Sequence, residues 1–456
     1  MIAIYFIPGL AASIALSIYV VLMILCLDLF DITLTLPGIA GIILSIGMAV
    51  DANVITFARI REELALGKSV QGSIQSGYKK ALSAIIDGNV TTLIAAAVLG
   101  VLGSGSIVGF AQTLALGIVL SMFTALVVTK LILNAFYSLG LKDVKYYGKA
   151  KERKKVDFLV KKTIFIAASL AVIVAGFICM GINSASGKGA LNFSLEFLGG
   201  TSTNVSLSED MALADIDATI VPQIEAITGD GNVQDQKVAG TNEGIVKTRT
   251  LSVEEREEFN QMMSDNFGIA PESITAETIS STVSSEMQRD AVIAVLVAVV
   301  LMLIYIWFRF KDVRFGASSV IALIHDVLVV LAFYAFMRIS VGSTFIACML
   351  TIVGYSINAT IVIFDRVRER MGAMRKGETL LEMLNECVNQ TLSRSVFTSL
   401  TTFIMVLVLY IMGVSSIKEF ALPLMAGIIC GTYSSVCLAC AIWFILKTKV
   451  VKKEAK

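Results

Sequence analysis

An apolar run with polar residues at its centre occurs twice in this chain, about 310 residues apart, and this repeat constrains the fold more than any other feature. The first copy reads Gly47-Met-Ala-Val-Asp-Ala-Asn-Val and the second reads Gly354-Tyr-Ser-Ile-Asn-Ala-Thr-Ile. Both continue into Phe-x-Arg-x-Arg-Glu, but Asp51 of the first copy corresponds to Asn358 of the second. Polar residues at mid-depth in duplicated apolar spans are typical of transporter-like membrane bundles.

The repeat continues beyond these segments. Gly105-Ser-Ile-Val-Gly-Phe110 corresponds to Ser415-Ser-Ile-Lys-Glu-Phe420, and Thr91-Thr92 corresponds to Thr401-Thr402. Because the matches keep the same order and nearly the same spacing, we predict two halves that run in the same direction and are related by an axis along the membrane normal.

Ten apolar runs are long enough to cross roughly 30 Å of hydrocarbon as helices. They lie near 9–29, 36–58, 83–103, 107–137, 163–183, 287–308, 316–337, 343–364, 394–413 and 418–446. With 56% hydrophobic and only 16% charged residues, the composition excludes a water-soluble globular protein. Residues 1–8 are too short to cross and are interpreted as the tail of an eleventh helix that begins before this chain. We expect no removable signal peptide.

The positions of Lys and Arg predict the orientation, because cytoplasmic loops retain them. Basic segments that fall on one side are 59–80, 138–162, 309–314, 365–376 and 447–456. This pattern places the C-terminus in the cytoplasm and the long hydrophilic stretch outside it. The predicted organisation is a first half over 1–141, a basic cytoplasmic linker over 142–162, a span over 163–183, an outer domain over 184–286, further spans over 287–446 and a basic cytoplasmic tail over 447–456.

The outer stretch is acidic, and alternating runs predict a small α+β domain. Strands are expected near 193–197, 201–207, 232–239, 243–249 and 273–280, with helices near 209–227 and 252–266. The order β-α-β-β-α-β is that of the ferredoxin-like split unit. Such a domain could be a structural cap on the bundle or a surface that touches an emerging partner. The predicted fold class is an all-α polytopic membrane bundle of two pseudo-symmetric halves with one ferredoxin-like extracytoplasmic domain.

Two sets of motifs resemble those of a known membrane family. The set that resembles the membrane part of SecD is Gly47-Met-Ala-Val-Asp-Ala-Asn-Val, Ile60-Arg-Glu-Glu and Asn89-Val-Thr-Thr-Leu. The set that resembles SecF is Leu195-Glu-Phe-Leu-Gly-Gly-Thr201, His325-Asp326, Gly354-Tyr-Ser-Ile-Asn, Thr391-Leu-Ser-Arg394 and Thr398-Ser-Leu-Thr-Thr402. The chain thus resembles a SecDF fusion over almost every residue, without SecD's first span, its large outer domain and most of its second span.

The resemblance implies a bundle of the resistance-nodulation-division (RND) type that assists the Sec translocon and uses a proton or sodium gradient to promote outward movement of exported proteins. It implies no enzymatic activity and no cofactor. The implied partners are the SecY/SecE/SecG translocon, SecA, unfolded secreted polypeptide and membrane lipid, with YajC-like or YidC-like membrane proteins as further candidates and no nucleic acid. The implied location is the cytoplasmic membrane of a prokaryote.

Two other functions remain open at this point. One is an RND-type exporter of small molecules or lipids, which would need a solute pathway. The other is a scaffold that steadies the translocon without using an ion gradient. Mutation of Asp51 to a neutral residue separates the coupled function from the scaffold.

Asp51 is the candidate ion-coupling residue. A carboxylate at the bilayer centre costs about 2.5–3.5 kcal/mol on insertion scales, so it is avoided unless it is paired, protonated or functional. The resemblance makes it the carrier aspartate of the family and makes Arg394 its partner, which would hold the carboxylate ionised when close. The other reading of Arg394 is an anchor at a helix end.

The second half departs from the SecF pattern, which commonly reads Gly-Tyr-Ser-x-Asn-Asp, because Ala359 stands in place of the second acid. Asp51 would then act alone or with neighbouring polar groups, and the coupling ion and its stoichiometry stay open. These neighbours are Asn53, Asn358 and Thr360.

The remaining candidates have two readings each. Asp87 could join the relay or could be a helix N-terminal acid stabilised by the helix dipole. His325, the only histidine, could carry a proton with Asp326, but a packed and hydrogen-bonded position is favoured. A single histidine and the cysteine spacing predict no metal site and no disulfide framework. Four glycines are interpreted as structural positions of the motifs. Gly47 and Gly354 belong to the repeat, and Gly199 and Gly200 are expected in a tight connection before a strand.

Overall fold

The computed structural model of the chain describes residues 1–103, 106–148, 156–186, 189–206, 219–229, 233–237, 242–374, 377–413 and 415–454. It is mostly helical and divides into two compact units. The helical unit comprises Met1–Leu191, Ile293–Ile339 and Thr344–Lys456. The second unit comprises Asn192–Val292 and Ser340–Ser343 and is called the outer unit here after the outer domain that the sequence predicts.

The first half contains four long helices. They are α1 over Ile7–Leu29, α2 over Leu36–Ala65, α3 over Val70–Leu102, and α4, which runs through Ser106–Phe123, a π-helical turn at Thr124–Val128 and Thr129–Ser138. A short helix, Ile2–Tyr5, precedes α1. The hydroxyl of Thr35 accepts a bond from the amide of Gly38 (3.1 Å) and thereby caps the start of α2.

The segment between the halves contains a short 3₁₀ turn, Val144–Tyr146, followed by the long helix α5 over Lys162–Ala185. The structure describes the predicted basic linker over 142–148 and from residue 156 onward. The basic run Lys151–Lys155 lies outside the described residues.

The outer unit is built on a four-stranded sheet. Its elements are β1 over Asn192–Phe193, a helical turn over Leu195–Leu198, β2 over Gly200–Ser206, α6 over Val221–Thr228, β3 over Gln234–Lys237, β4 over Glu243–Thr248, α7 over Val253–Phe267, a 3₁₀ turn over Pro271–Ser273 and β5 over Ile274–Ile279. The sheet order is β3-β4-β2-β5, and every neighbouring pair is antiparallel. Its buried core contains Val205, Ile220, Ile224, Val246, Phe259, Met263 and Ile269.

Four of the predicted outer strands are present, but the strand predicted over 193–197 is wrong. Only Asn192–Phe193 is extended there, and it pairs in parallel with a distant two-residue strand, Ser340–Val341 (β6). Leu195–Leu198 forms a helical turn instead, with Leu195 and Phe197 buried. Of the helix predicted over 209–227, residues 209–218 lie outside the described part of the chain.

The connection between this helical turn and β2 requires glycine twice. Gly199 and Gly200 have φ values of 71° and 122°, which side chains rarely adopt. A Cβ atom on Gly200 would also collide with the carbonyl oxygen of Thr248 on the neighbouring strand β4. The tight connection predicted for these two residues is therefore found at this place.

The start of α7 is held by a capping box and an ion pair. Glu255 and Ser252 exchange side-chain-to-backbone bonds (2.8 and 3.2 Å), and Arg249 donates to both oxygens of Glu255 (2.5 and 3.1 Å). The bond from Arg249 and the bond from the Ser252 amide lower the pKa of Glu255 from its ordinary value of 4.5 to about 2.

We expect the stability of α7 to depend on pH through Glu255. Because the folded pKa is the lower one, these contacts contribute fully above about pH 4.5 and are lost as the pH falls toward about 2. Glu255→Gln keeps the capping box but removes this pH dependence. Hydrogen exchange of α7 in the full chain, corrected for intrinsic rates, would show it, with the exposed Glu257→Gln as control. An unchanged pH profile in Glu255→Gln would refute the assignment.

The second half contributes five further long helices. They are α8 over Ser281–Phe310, α9 over Val313–Met337, α10 over Ser343–Met371, α11 over Leu380–Met412, and α12, which runs through Ser415–Tyr433, a π-helical turn at Ser434–Ala439 and Cys440–Glu454. With α1 to α5 they make ten helices that are long and apolar enough to cross a membrane in the part of the chain that the structure describes. Each of the ten predicted spans corresponds to one of these helices.

The two helices that carry the sequence repeat are the most buried ones. In the most apolar 18-residue stretch of each helix, 78% of the residues of α2 and 89% of the residues of α10 are buried. Both π-helical turns occupy corresponding places in the last helix of each half, Thr124–Val128 and Ser434–Ala439. Turns of this kind are frequent near functional sites.

Candidate functional site

A small cavity lies between α2, α10 and α11 in the centre of the helical unit. It measures about 10 Å³, close to the least volume that holds one water molecule. The residues that line it are Asp51, Ile55, Tyr355, Asn358, Ala359, Val362, Arg394, Ser395 and Thr398. The cavity therefore brings Asp51 and Arg394, its predicted partner, to one place.

Asp51 is buried and only partly hydrogen bonded. Its side chain lies in the middle of α2, and the residue is 6% exposed. Its Oδ2 atom accepts a bond from Nδ2 of Asn358 (3.2 Å), the corresponding residue of the other half. Its Oδ1 atom has no hydrogen-bond partner within the described residues. A buried acceptor without a partner is energetically costly.

Arg394 is equally buried on α11, at 8% exposure, and its Nε and Nη2 atoms have no hydrogen-bond partner among the described residues. Among the described residues, no guanidinium nitrogen of Arg394 lies within 4.0 Å of a carboxylate oxygen of Asp51. Two opposite charges thus face one cavity without direct contact. Arg394 lies inside α11, which begins at Leu380, so the reading as an anchor at a helix end is wrong.

Two of the polar neighbours expected near Asp51 are directed elsewhere. The amide of Asn53 donates to the carbonyl of Ala49 on the same helix (2.9 Å). The hydroxyl of Thr360 pairs with that of Ser435 on α12 (3.0 Å). Asn358 is therefore the one of the three proposed neighbours that lies on the cavity.

Asp87 forms a separate polar contact between the halves. Its carboxylate accepts bonds from Nε of Arg309 (2.6 Å) and from the hydroxyl of Tyr305 (2.8 Å), both on α8. Arg309 also lies 3.5 Å from Asp365 of α10. The reading as a helix N-terminal acid is wrong, because α3 begins at Val70 and Asp87 lies in its interior. Asp87 is thus ion-paired with Arg309 and is not among the residues that line the Asp51 cavity.

His325 and Asp326 lie in the middle of α9. Nδ1 of His325 is 2.9 Å from Oδ1 of Asp326, and the hydroxyls of Ser356 and Ser434 donate to Oδ2 (2.5 and 2.7 Å). Asp326 is fully buried. The pair is therefore buried and hydrogen bonded through Nδ1 of His325 and both oxygens of Asp326, while Nε2 of His325 has no hydrogen-bond partner within the described residues.

The repeat glycines mark two close helix crossings. A Cβ atom placed on Gly47 would lie 3.3 Å from Cγ2 of Thr402, and one placed on Gly354 would lie 3.3 Å from Cα of Thr92. The two threonines correspond to each other in the repeat, as the two glycines do. Each motif helix therefore crosses a helix of the opposite half at a glycine, close to the cavity.

Three polar residues of the cavity were not named as site residues from the sequence, namely Tyr355, Ser395 and Thr398. Thr398 follows Arg394 by four residues and so shares its helix face, a spacing that would have indicated it. Tyr355 precedes Asn358 by three residues, a spacing that likewise places two side chains on one helix face. Ser395 carries no comparable signal.

The ten candidate spans and the buried opposite charges between them define a multi-pass membrane protein with a polar centre. The chain belongs to the SecD/SecF protein-export membrane protein family, because the family model described as "Protein export membrane protein SecD/SecF, C-terminal" matches residues 1–138 and 259–449. It is 35% identical to the protein translocase subunit SecDF of Bacillus subtilis, covering 99% of this chain and 62% of the relative. It is 52% identical to SecD of Acidaminococcus fermentans over 34% of this chain and 37% of that protein.

Solved structures agree with this membership. The crystal structure of SecDF from Thermus thermophilus, described there as a translocon-associated membrane protein, matches with a TM-score of 0.86 and 34% identity, covering 98% of this chain and 60% of that one. A SecDF structure in a super-membrane-facing form matches with a TM-score of 0.77 and 33% identity, covering all of this chain and 60% of that one. The chain thus spans about 60% of the length of these SecDF proteins.

Proposed function

We propose that this protein assists the Sec translocase in protein export and couples that work to an ion gradient at the Asp51 cavity. The observation that carries the proposal is the pairing of a buried, half-satisfied carboxylate with a buried, unbonded guanidinium across one small cavity. A scaffold that only steadied the translocon would gain no stability from two buried charged groups that do not contact each other.

The cavity supports a simple two-state cycle. A cation bound to Asp51 neutralises the carboxylate and leaves Arg394 without an attractive partner. After the cation leaves, the negative carboxylate attracts Arg394, and the helices α2 and α11 that carry the two residues are drawn together. Moving one charge through 100 mV releases about 2.3 kcal/mol, so a few ions per cycle could drive a domain movement.

The two halves of the helical unit are proposed to be related by a pseudo-two-fold axis along the membrane normal. The exchanged contacts of Gly47 with Thr402 and of Gly354 with Thr92 support this relation. So does the edge-to-face contact between the corresponding rings of Phe110 and Phe420, whose centroids are 5.4 Å apart. Equivalent residues that touch each other are expected next to such an axis.

The outer unit is proposed to be a ferredoxin-like domain that binds unfolded polypeptide outside the cytoplasm. The antiparallel sheet order β3-β4-β2-β5, with α7 before β5, supports the fold. Its acidic surface, with acids outnumbering bases about three to one over 184–286, would repel other acidic surfaces and favour basic or neutral segments.

The remaining assignments follow from family membership and the basic loops. We propose the domain limits 1–141, 142–162, 163–183, 184–286, 287–446 and 447–456. We place the protein in the cytoplasmic membrane of a prokaryote with its C-terminus inside. Its proposed partners are the SecY/SecE/SecG translocon, SecA and exported polypeptide.

Replacing Arg394 with lysine tests the cavity mechanism. Lysine keeps the charge but loses the planar fork of donors, so ion-dependent export in membrane vesicles should fall roughly tenfold. Arg366→Lys is the matched control, because Arg366 lies on α10 outside the cavity and pairs with Glu369 (2.8 Å). Full activity of Arg394→Lys would contradict the proposal, as would an equal loss in both variants.

A further inference from the structure

A second polar cluster lies in the second half, and none of its three residues lines the Asp51 cavity. His325 and Asp326 of α9 meet Cys430 of α12, and all three residues are buried. The thiol of Cys430 lies 3.2 Å from Oδ1 of Asp326 and 4.0 Å from Nδ1 of His325, and these two atoms are 2.9 Å apart. A nitrogen, an oxygen and a sulfur donor therefore converge on one point in the middle of the bundle.

The charge of Asp326 needs a counterion. The carboxylate is fully buried, and within the described residues its only ion-pair partner is His325, which is charged only when protonated. The hydroxyls of Ser356 and Ser434 and the thiol of Cys430 can donate hydrogen bonds but bring no positive charge. An isolated negative charge in the membrane interior is unfavourable, so a cation at this place would stabilise the fold.

We propose that His325, Asp326 and Cys430 bind one divalent transition-metal ion, with Zn²⁺ as the best match. Imidazole nitrogen, carboxylate oxygen and thiolate sulfur are the three ligand types that Zn²⁺ takes. With metal–ligand bonds of about 2.0–2.3 Å, tetrahedral donors stand roughly 3.3–3.6 Å apart. The three separations of 2.9, 3.2 and 4.0 Å bracket this range, so shifts of a few tenths of an ångström suffice.

The charges and the surrounding bonds fit the ion as well. Binding of the ion releases the thiol proton of Cys430. One carboxylate, one thiolate and a neutral imidazole then give a site with no net charge around a divalent cation. Ser356 and Ser434 both hold Oδ2 of Asp326, which leaves Oδ1 directed at the other two donors. Such outer hydrogen bonds orient the ligating group in metal sites. The sequence did not predict this site, because Cys430 lies more than 100 residues from His325 and the two form no recognisable metal-binding motif.

Cobalt binding to the purified full chain, carrying a tag without histidine, tests the proposal. We expect one Co²⁺ per chain, with a thiolate-to-cobalt charge-transfer band and the visible bands of a tetrahedral ion, and displacement by Zn²⁺. Cys430→Ser should remove the charge-transfer band, and Ser434→Ala should lower the affinity about 10–100-fold. Cys437→Ser, a buried cysteine of the same helix outside the cluster, is the matched control and should bind as the parent does.

The single histidine gives a second readout that does not depend on colour. In chains labelled with ¹⁵N-histidine, one equivalent of Zn²⁺ should shift the one imidazole signal of His325, and Asp326→Asn should prevent the shift at that concentration. Absence of stoichiometric binding would overturn the proposal. Binding that survives Cys430→Ser unchanged would also overturn it. Neither result bears on the export proposal, which rests on Asp51 and Arg394.

Discussion

Replacing Asp51 with asparagine is expected to abolish ion-dependent export while leaving the protein folded in the membrane. Asparagine has nearly the same shape and can still bond to Asn358, but it cannot take up and release a cation at a carboxylate. Removal of a buried charge also relieves the insertion cost of about 2.5–3.5 kcal/mol. The variant should therefore unfold at the same temperature as the parent or at a higher one.

The measurement is export into membrane vesicles with and without an imposed proton or sodium gradient, together with thermal unfolding of the purified variant. Asp28→Asn removes an exposed acid near the end of α1 and should leave both quantities unchanged. If Asp51→Asn exports as well as the parent under a gradient, the scaffold function is the correct one. If only one of the two gradients supports export by the parent, the coupling ion is identified as well.

The second large effect is a loss of stability, which we expect for the variant Asp87→Asn. The carboxylate of Asp87 and the guanidinium of Arg309 are 7% and 18% exposed, and the variant leaves the arginine buried without its nearest acid. Breaking a buried pair on one side costs about 3–5 kcal/mol, and the lower end applies because Arg309 keeps Asp365 at 3.5 Å. Fluorescence of Trp307, which lies on the same helix as Arg309, can report unfolding in detergent.

Two further variants separate the ion pair from simple packing. Tyr305→Phe removes one hydrogen bond to Asp87 and should cost only about 1 kcal/mol. The double variant Asp87→Asn with Arg309→Gln removes both charges and should lose less stability than the sum of its single variants. Additive losses would show that Asp87 and Arg309 do not stabilise each other.

The sequence predicted the membrane architecture because the hydrocarbon layer imposes a length and a composition that single runs reveal. It also predicted Asp51, since a lone acid in an apolar run is too unfavourable to be there without a partner or a function. The reading of Asp87 as a helix N-terminal acid and the alternative reading of Arg394 as an anchor at a helix end fail because α3 and α11 begin well before their apolar runs, at Val70 and Leu380. Those extensions carry polar residues, so hydropathy does not mark where the helix begins.

The remaining differences arise from contacts between distant parts of the chain. The run 193–197 alternates like a strand, but the pairing of β1 with β6 ends after two residues and the chain turns to bury Leu195 and Phe197. Likewise, Arg309 and Tyr305 meet Asp87 from more than 200 residues away. Local periodicity holds no information about such partners.

The glycine crossings have a mechanical consequence. Where long side chains separate two helices, a displacement can be absorbed by changes of rotamer, but at Gly47 and Gly354 the motif helices rest almost directly on the threonines of the other half. A shift of a few tenths of an ångström at the cavity must then be passed on to the opposite helix as a whole. In the proposed cycle, the two crossings would therefore pass a local change of charge on as a movement of entire helices.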